Sequence, residues 1–160
     1  MKALLAAGAA CAIVTVATAV GRAQAPAPPA PAPGSPGTFK SAGELADVLR
    51  KATPTPAGMT TSPVSNTDQY RINIVHRAKP AGAIAHTGNT ELHYIVEGSG
   101  TIVTGGTIRG QGITATIEGG ETRRVAKGDV VVIPASSPHW YSAVDGAITY
   151  LEVRWLAPAK

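Results

Sequence analysis

A chain of 160 residues has room for one ordinary domain, and a net charge of +4 with no run of Lys or Arg argues against nucleic acid as a partner. The single cysteine, Cys11, excludes an internal disulfide, and it also leaves the chain beyond residue 25 without a thiol nucleophile.

Met1 and Lys2 give a short positive start, followed over residues 3–20 by Ala, Val, Leu and Ile almost without interruption and without charge. Small residues come next, in Ala17-Thr18-Ala19, Gly21-Arg22-Ala23 and Ala23-Gln24-Ala25. This layout predicts a secretory signal peptide over residues 1–25, cut between 19 and 25, and hence a periplasmic or secreted protein with no stable membrane insertion after cleavage. A cut after Ala19 or Ala23 avoids placing Pro26 next to the scissile bond. A retained anchor is the alternative, for which the apolar run is at the lower limit of length. Cys11 fits a lipidation site poorly, because Gly8-Ala9-Ala10 lacks the large apolar residue expected three places before it. Loss of Lys2 and Arg22 with the leader lowers the net charge from +4 to +2.

Residues 26–37 are nearly all Pro, Ala, Gly and Ser, a composition that cannot bury a core and predicts an extended tether. Residues 38–55 predict a short helix. Ser41 and Glu44 form a capping-box pair, Leu45, Val48 and Leu49 fall on one face, and Pro54 closes the segment.

From about residue 57 to 156 the pattern changes to short β-rich runs separated by Gly, Pro, Asn and Asp. The predicted strands are 70–77, 91–97, 101–104, 113–117, 122–125, 130–133, 140–143 and 148–154, with glycines at 98, 100, 105, 106, 110, 112, 119 and 120 marking corners. Many short strands in about 100 residues predict an all-β fold, an antiparallel barrel or jelly roll that removes exposed sheet edges.

Two stretches carry the chemistry. In His86-Thr-Gly-Asn-Thr-Glu91-Leu-His93-Tyr-Ile-Val-Glu-Gly98, strand alternation puts Glu91, His93 and Ile95 on one face and Leu92, Tyr94 and Val96 on the other. Glu91 and His93 then stand about 6–7 Å apart at their Cα atoms, close enough to converge on one ion, and His86 ends the preceding loop. In Gly128-Asp-Val-Val-Val-Ile-Pro134-Ala-Ser-Ser-Pro138-His139, a turn, a strand and a proline-fixed corner present a histidine at the start of another strand. His86, Glu91, His93 and His139 make a mixed nitrogen and oxygen donor set suited to Fe, Mn, Ni, Zn or Cu as divalent ions.

The two stretches resemble the paired motifs of the cupin superfamily, small β-barrels of double-stranded β-helix or jelly-roll type. His86, Glu91 and Gly98 match the first motif in type and spacing, and Tyr94 matches its usual aromatic. Ile84 stands where the motif has its first histidine. Gly128, Pro134 and His139 match the second motif, with Ser136 in place of a glycine and Ala143 where an Asn often occurs. The resemblance covers residues 70–154 and implies a metal-binding barrel, with residues 107–120 as an added hairpin. It also implies a homodimer paired through the outer face that carries Leu92, Tyr94 and Val96. Ile84 cannot ligate; His93 is the candidate replacement, or else a core histidine satisfied by a neighbouring acceptor. Glu91 is a ligand or a general base.

Outside the motifs, His76 shares a face with Ile72 and Ile74 and reads as structural. Arg71, on the opposite face with Asn73 and Arg77, is a candidate for an anionic substrate group, and Tyr141, beside His139 with Trp140, for a pocket wall. The alternation of Tyr150, Glu152 and Arg154 with Leu151, Val153 and Trp155 leaves two possible inward faces. Three functions stay open: a metal-dependent oxygenase, isomerase or lyase acting on a small molecule; a non-catalytic module that binds or senses a sugar or carboxylate; and a structural, tethered oligomerisation domain, favoured only if side chains fill the cavity.

Overall fold

The computed structural model describes residue 34 and residues 36–157; the predicted signal peptide and most of the predicted tether lie outside them. Among the described residues no helix is long and apolar enough to cross a membrane.

The first element is α1 (Ala42–Lys51), opened by Ser41 as predicted. Its side chain accepts from the Glu44 amide, and the Glu44 carboxylate accepts from the Ser41 amide at 2.8 Å. Leu45, Val48 and Leu49 are half-buried against the outer face of the first two strands, where Ile74 is fully buried. His76 lies under this helix and pairs through Nδ1 with Thr149 Oγ1 at 2.9 Å, the structural role its neighbours suggested.

Eight strands follow: β1 (Met59–Asn66), β2 (Tyr70–Arg77), β3 (Asn89–Thr104), β4 (Thr107–Arg109), β5 (Thr116–Glu118), β6 (Glu121–Ala126), β7 (Val130–Ile133) and β8 (His139–Leu156). Six of them form one antiparallel sheet in the order β1-β2-β8-β3-β6, with β7 also paired to β3; β4 and β5 make the separate hairpin expected at 107–120. Inward residues from opposite walls meet in a single cluster that includes Val75, Ile95, Val125, Ile133, Ile148 and Tyr150, so the sheet curls into a barrel around its core.

Several boundaries differ from the sequence reading. The segments 91–97 and 101–104 are one bent strand, and 140–143 and 148–154 are another. Gly98 and Gly100 sit at register shifts inside β3 rather than at corners. Residues 112–114 form a 3-10 turn, leaving only 116–118 of the predicted 113–117 strand. Strand β1 was not expected: Met-Thr-Thr-Ser-Pro-Val-Ser-Asn is polar and holds a proline. It is an edge strand paired only with β2 and broken by a register shift beside Pro63, which is where a strand tolerates that residue.

Candidate metal centre

Strand alternation aims Glu91 and His93 into the barrel, and both are almost fully buried. Across the ladder, Glu91 pairs in register with Arg154 and His93 with Glu152, so β8 presents Tyr150, Glu152 and Arg154 to the same interior. That settles which of the two β8 faces points inward. The loop before β3 is stitched to the start of β8. Ile84 and His139 exchange both backbone hydrogen bonds, at 3.1 and 2.8 Å, and the Ser136 amide donates to the His86 carbonyl at 2.9 Å. Sequence-distant His86 and His139 are thereby fixed side by side, their ring centroids 5.5 Å apart.

Three imidazoles surround one carboxylate. His86 Nε2 lies 3.5 Å from Glu91 Oε1, and Glu91 Oε2 lies 3.4 Å from His93 Nε2 and 3.7 Å from His139 Nε2. Donors bound to one ion at about 2.1 Å stand roughly 3.0–3.4 Å apart, close to this spacing. The donor atoms of His86, Glu91 and His139 all fall within 4.8 Å of one another, and so do those of Glu91, His93 and Glu152. Glu91 therefore joins two overlapping sets, with His93 in the second one beside Glu152 rather than beside His86 and His139. Ile84 is bridged to His139 and exposed at the cavity lining, a separate position from His93, which enters from the middle of β3.

The buried atoms His86 Nε2, Glu91 Oε2, His93 Nε2 and Arg154 Nε make no hydrogen bond. Buried polar atoms are normally satisfied, and three of these, His86 Nε2, Glu91 Oε2 and His93 Nε2, can offer lone pairs to a cation, whereas Arg154 Nε is a donor and cannot. The Arg154 Nε at 3.5 Å from Glu91 Oε2 is too distant for a hydrogen bond and does not settle the imidazoles. Two of the three remaining ring nitrogens are engaged: His139 Nδ1 meets the Ser137 carbonyl at 3.2 Å and His93 Nδ1 meets the Tyr141 hydroxyl at 3.2 Å. With Nδ1–H donating in each case, both Nε2 lone pairs point toward Glu91, the tautomer a metal ligand requires.

Burial pushes the Glu91 carboxyl up, but His93, His139, Arg154 and His86 together pull it below its ordinary value. Burial also lowers His139, against the opposing pull of Glu91. At neutral pH the site thus offers an ionised carboxylate and a neutral His139 imidazole, the protonation states metal binding needs.

The centre opens into a cavity of about 230 Å³ lined by Met59, Thr61, Asn73, Arg77, Ile84, His86, His93, His139, Tyr150, Glu152 and Arg154. The two residues expected to touch substrate lie elsewhere. Arg71 is exposed and lines a neighbouring cleft with Gln69, Asn89 and Arg154, because it sits one pleat pair beyond Asn73 at the barrel rim. Tyr141 is buried behind His93, its ring stacked on Tyr150 and its hydroxyl on His93 Nδ1, so it holds the imidazole instead of walling the cavity. Arg77, Glu152 and Arg154 stand out in the sequence only as members of strand faces, with no role in the site. The period-2 alternation of β2 and β8 carried the signal, once the Glu91–His93 face is known to point inward.

The sequence matches the family described as Cupin over residues 55–153. This chain belongs to the cupins, and its fold is their barrel. No curated protein matches it. Among solved structures, KdgF from Halomonas sp. is similar at 17% identity and TM-score 0.49, covering 69% of this chain and 87% of its own. A cupin superfamily protein from Desulfitobacterium hafniense DCB-2 aligns at 18% identity and TM-score 0.45 over 67% of this chain and 84% of its own. The Fe(II) form of HppE in complex with substrate aligns at 12% identity and TM-score 0.50 over 61% of this chain and 50% of its own, a likeness of fold.

Proposed function

We propose that this chain is an exported cupin that holds one divalent transition metal on His86, Glu91 and His139 and acts on a small molecule as a metal-dependent oxygenase, isomerase or lyase. The observation that carries this reading is the convergence of buried, unsatisfied nitrogen and oxygen donors on one point. Fe, Mn, Ni, Zn and Cu all suit such a donor set. Bound there, the ion would polarise a substrate oxygen or activate O2. His93 closes the inner side of the site, held by Tyr141, and Glu91, kept ionised, either ligates or accepts a proton.

The proposal places the signal peptide at residues 1–25 and the barrel outside the cytoplasm. It also pairs two copies through the outer face of β7, β3 and β8. Tyr94, Val130 and Val132 are 42%, 56% and 56% exposed on that face, a large apolar area for a lone subunit. Ile84 in place of a fourth donor favours a second reading, a module that binds a small sugar or carboxylate without turning it over. Calorimetric titration with Zn2+ and Ni2+ tests the metal site. The wild type is expected to bind one ion per chain, and His139→Ala and His86→Ala to weaken binding at least tenfold. Unchanged binding in both variants would remove the site.

A further inference from the structure

Arg77 is the feature of the cavity that the metal reading leaves unexplained. It is 8% exposed, and its Nε–H donates to the Tyr150 hydroxyl at 2.9 Å. Its guanidinium carbon lies 5.4 Å from the centroid of the Tyr141 ring. Among the described residues no carboxylate lies within ion-pair distance of it, and its terminal amino groups make no hydrogen bond. The two carboxylates of the cavity are engaged elsewhere: Glu152 with Asn73 at 3.0 Å and with Arg154 at 2.9 Å, Glu91 with the imidazoles and Arg154. Arg77 lines the cavity wall with its charge unpaired, so an anion entering the cavity can become its partner.

Charge leads to the same place. Glu91 and Glu152 balance Arg77 and Arg154, and a divalent ion would add two positive charges that nothing in the cavity offsets. We infer that Arg77 is the anchor for a carboxylate on the substrate, so that the ligand of this cavity is a small carboxylic acid spanning from the Arg77 amino groups to the Glu91 centre. With Nε spent on Tyr150 and the guanidinium stacked over Tyr141, the free edge presents two parallel N–H groups, a fork matched to the two oxygens of a carboxylate. The cavity of about 230 Å³ limits the ligand to a small one. This inference rests on the proposed metal site, and its test separates the two.

Glycolate and its neutral isostere glycolamide are titrated onto protein loaded with Co2+, whose uptake is followed by its visible absorption. The wild type is expected to bind glycolate at least tenfold more tightly than glycolamide. Arg77→Met is expected to take up Co2+ as the wild type does while losing at least tenfold in glycolate affinity. Equal binding of glycolate and glycolamide by the wild type would overturn the inference, whether or not the variant folds. So would an Arg77→Met protein that binds glycolate as the wild type does. If Arg77→Met does not fold, Arg77→Lys, which keeps the charge and loses the fork, is expected to lose glycolate affinity several-fold at unchanged Co2+ uptake. A wild type that takes up no Co2+ would remove the metal site alone. The same Arg77-dependent glycolate titration on the metal-free chain would then uphold the anchor, and no glycolate binding would overturn it.

Discussion

Ser136 adopts φ of +66°, a left-handed conformation that costs an L-residue about 1–2 kcal/mol and that the corresponding cupin position fills with glycine. The cost is retained because the Ser136 amide, in that conformation, holds the His86 carbonyl beside His139. Ser136→Gly is therefore expected to raise stability by roughly 0.5–1 kcal/mol in urea unfolding, the relief of strain exceeding the added flexibility of glycine in the unfolded chain. Gly98 is the opposite case. At φ of +77° an added Cβ would lie 2.0 Å from the Ala147 carbonyl oxygen, so the bend of β3 requires a bare backbone there. Gly98→Ala is expected to cost about 2 kcal/mol or more, or to prevent folding.

Tyr141 acts at the same scale on His93. Replacing it with Phe removes the partner of Nδ1 and leaves the imidazole free to change tautomer beside Glu91; metal affinity is expected to fall, but by less than in the His86 and His139 variants, while the fold is kept, as calorimetry on Tyr141→Phe would measure. Protons compete for the same atoms. Because burial depresses His139, its contribution to stability is complete above the unfolded value of about 6.5 and is lost as pH falls through the lower folded value. Glu91 is likewise depressed and adds a second loss below about 4.5. The melting temperature of the metal-free protein should thus be level near neutrality and decline from about pH 6.5 downward. His139→Gln should remove the upper part of that decline.

The helix and most strands were legible in the sequence because local signals agree with tertiary demands. Ser41 and Glu44 cap each other in isolation as they do in the fold, and Glu91, His93 and Ile95 alternate as any half-buried strand does. What was not legible depended on pairing. Gly98 and Gly100 read as corners since nothing local distinguishes a bulge from a turn, and β1 reads as loop because an edge strand paired only with β2 can carry Pro63. The site divided in the same way. His86, Glu91 and His139 follow from motif spacing, whereas Arg77, Glu152 and Arg154 enter the cavity only through the register of β2 and β8 with β3. Arg71 and Arg77 share a face, and only the depth of each along the barrel separates rim from interior.

At the scale of the molecule, the outer face of β7, β3 and β8 presents Leu92 opposite Val132 and Tyr94 opposite Val130, with Val153 and Leu151 on the other flank. Self-association through it is expected to give twice the chain mass in light scattering. Val132→Lys should shift the protein toward monomer without loss of metal, since Val132 points away from the cavity. A monomeric wild type would remove the pairing and leave the site untouched.

The central claim is that a barrel of this family brings His86, Glu91 and His139 together to hold an ion. Elemental analysis of the protein as purified, with no metal added, tests it most directly. The expected result is close to one first-row divalent metal per chain, falling to a trace in His139→Ala. A chain that carries none as purified, and takes up none when offered Fe, Mn, Ni, Zn or Cu, would contradict it.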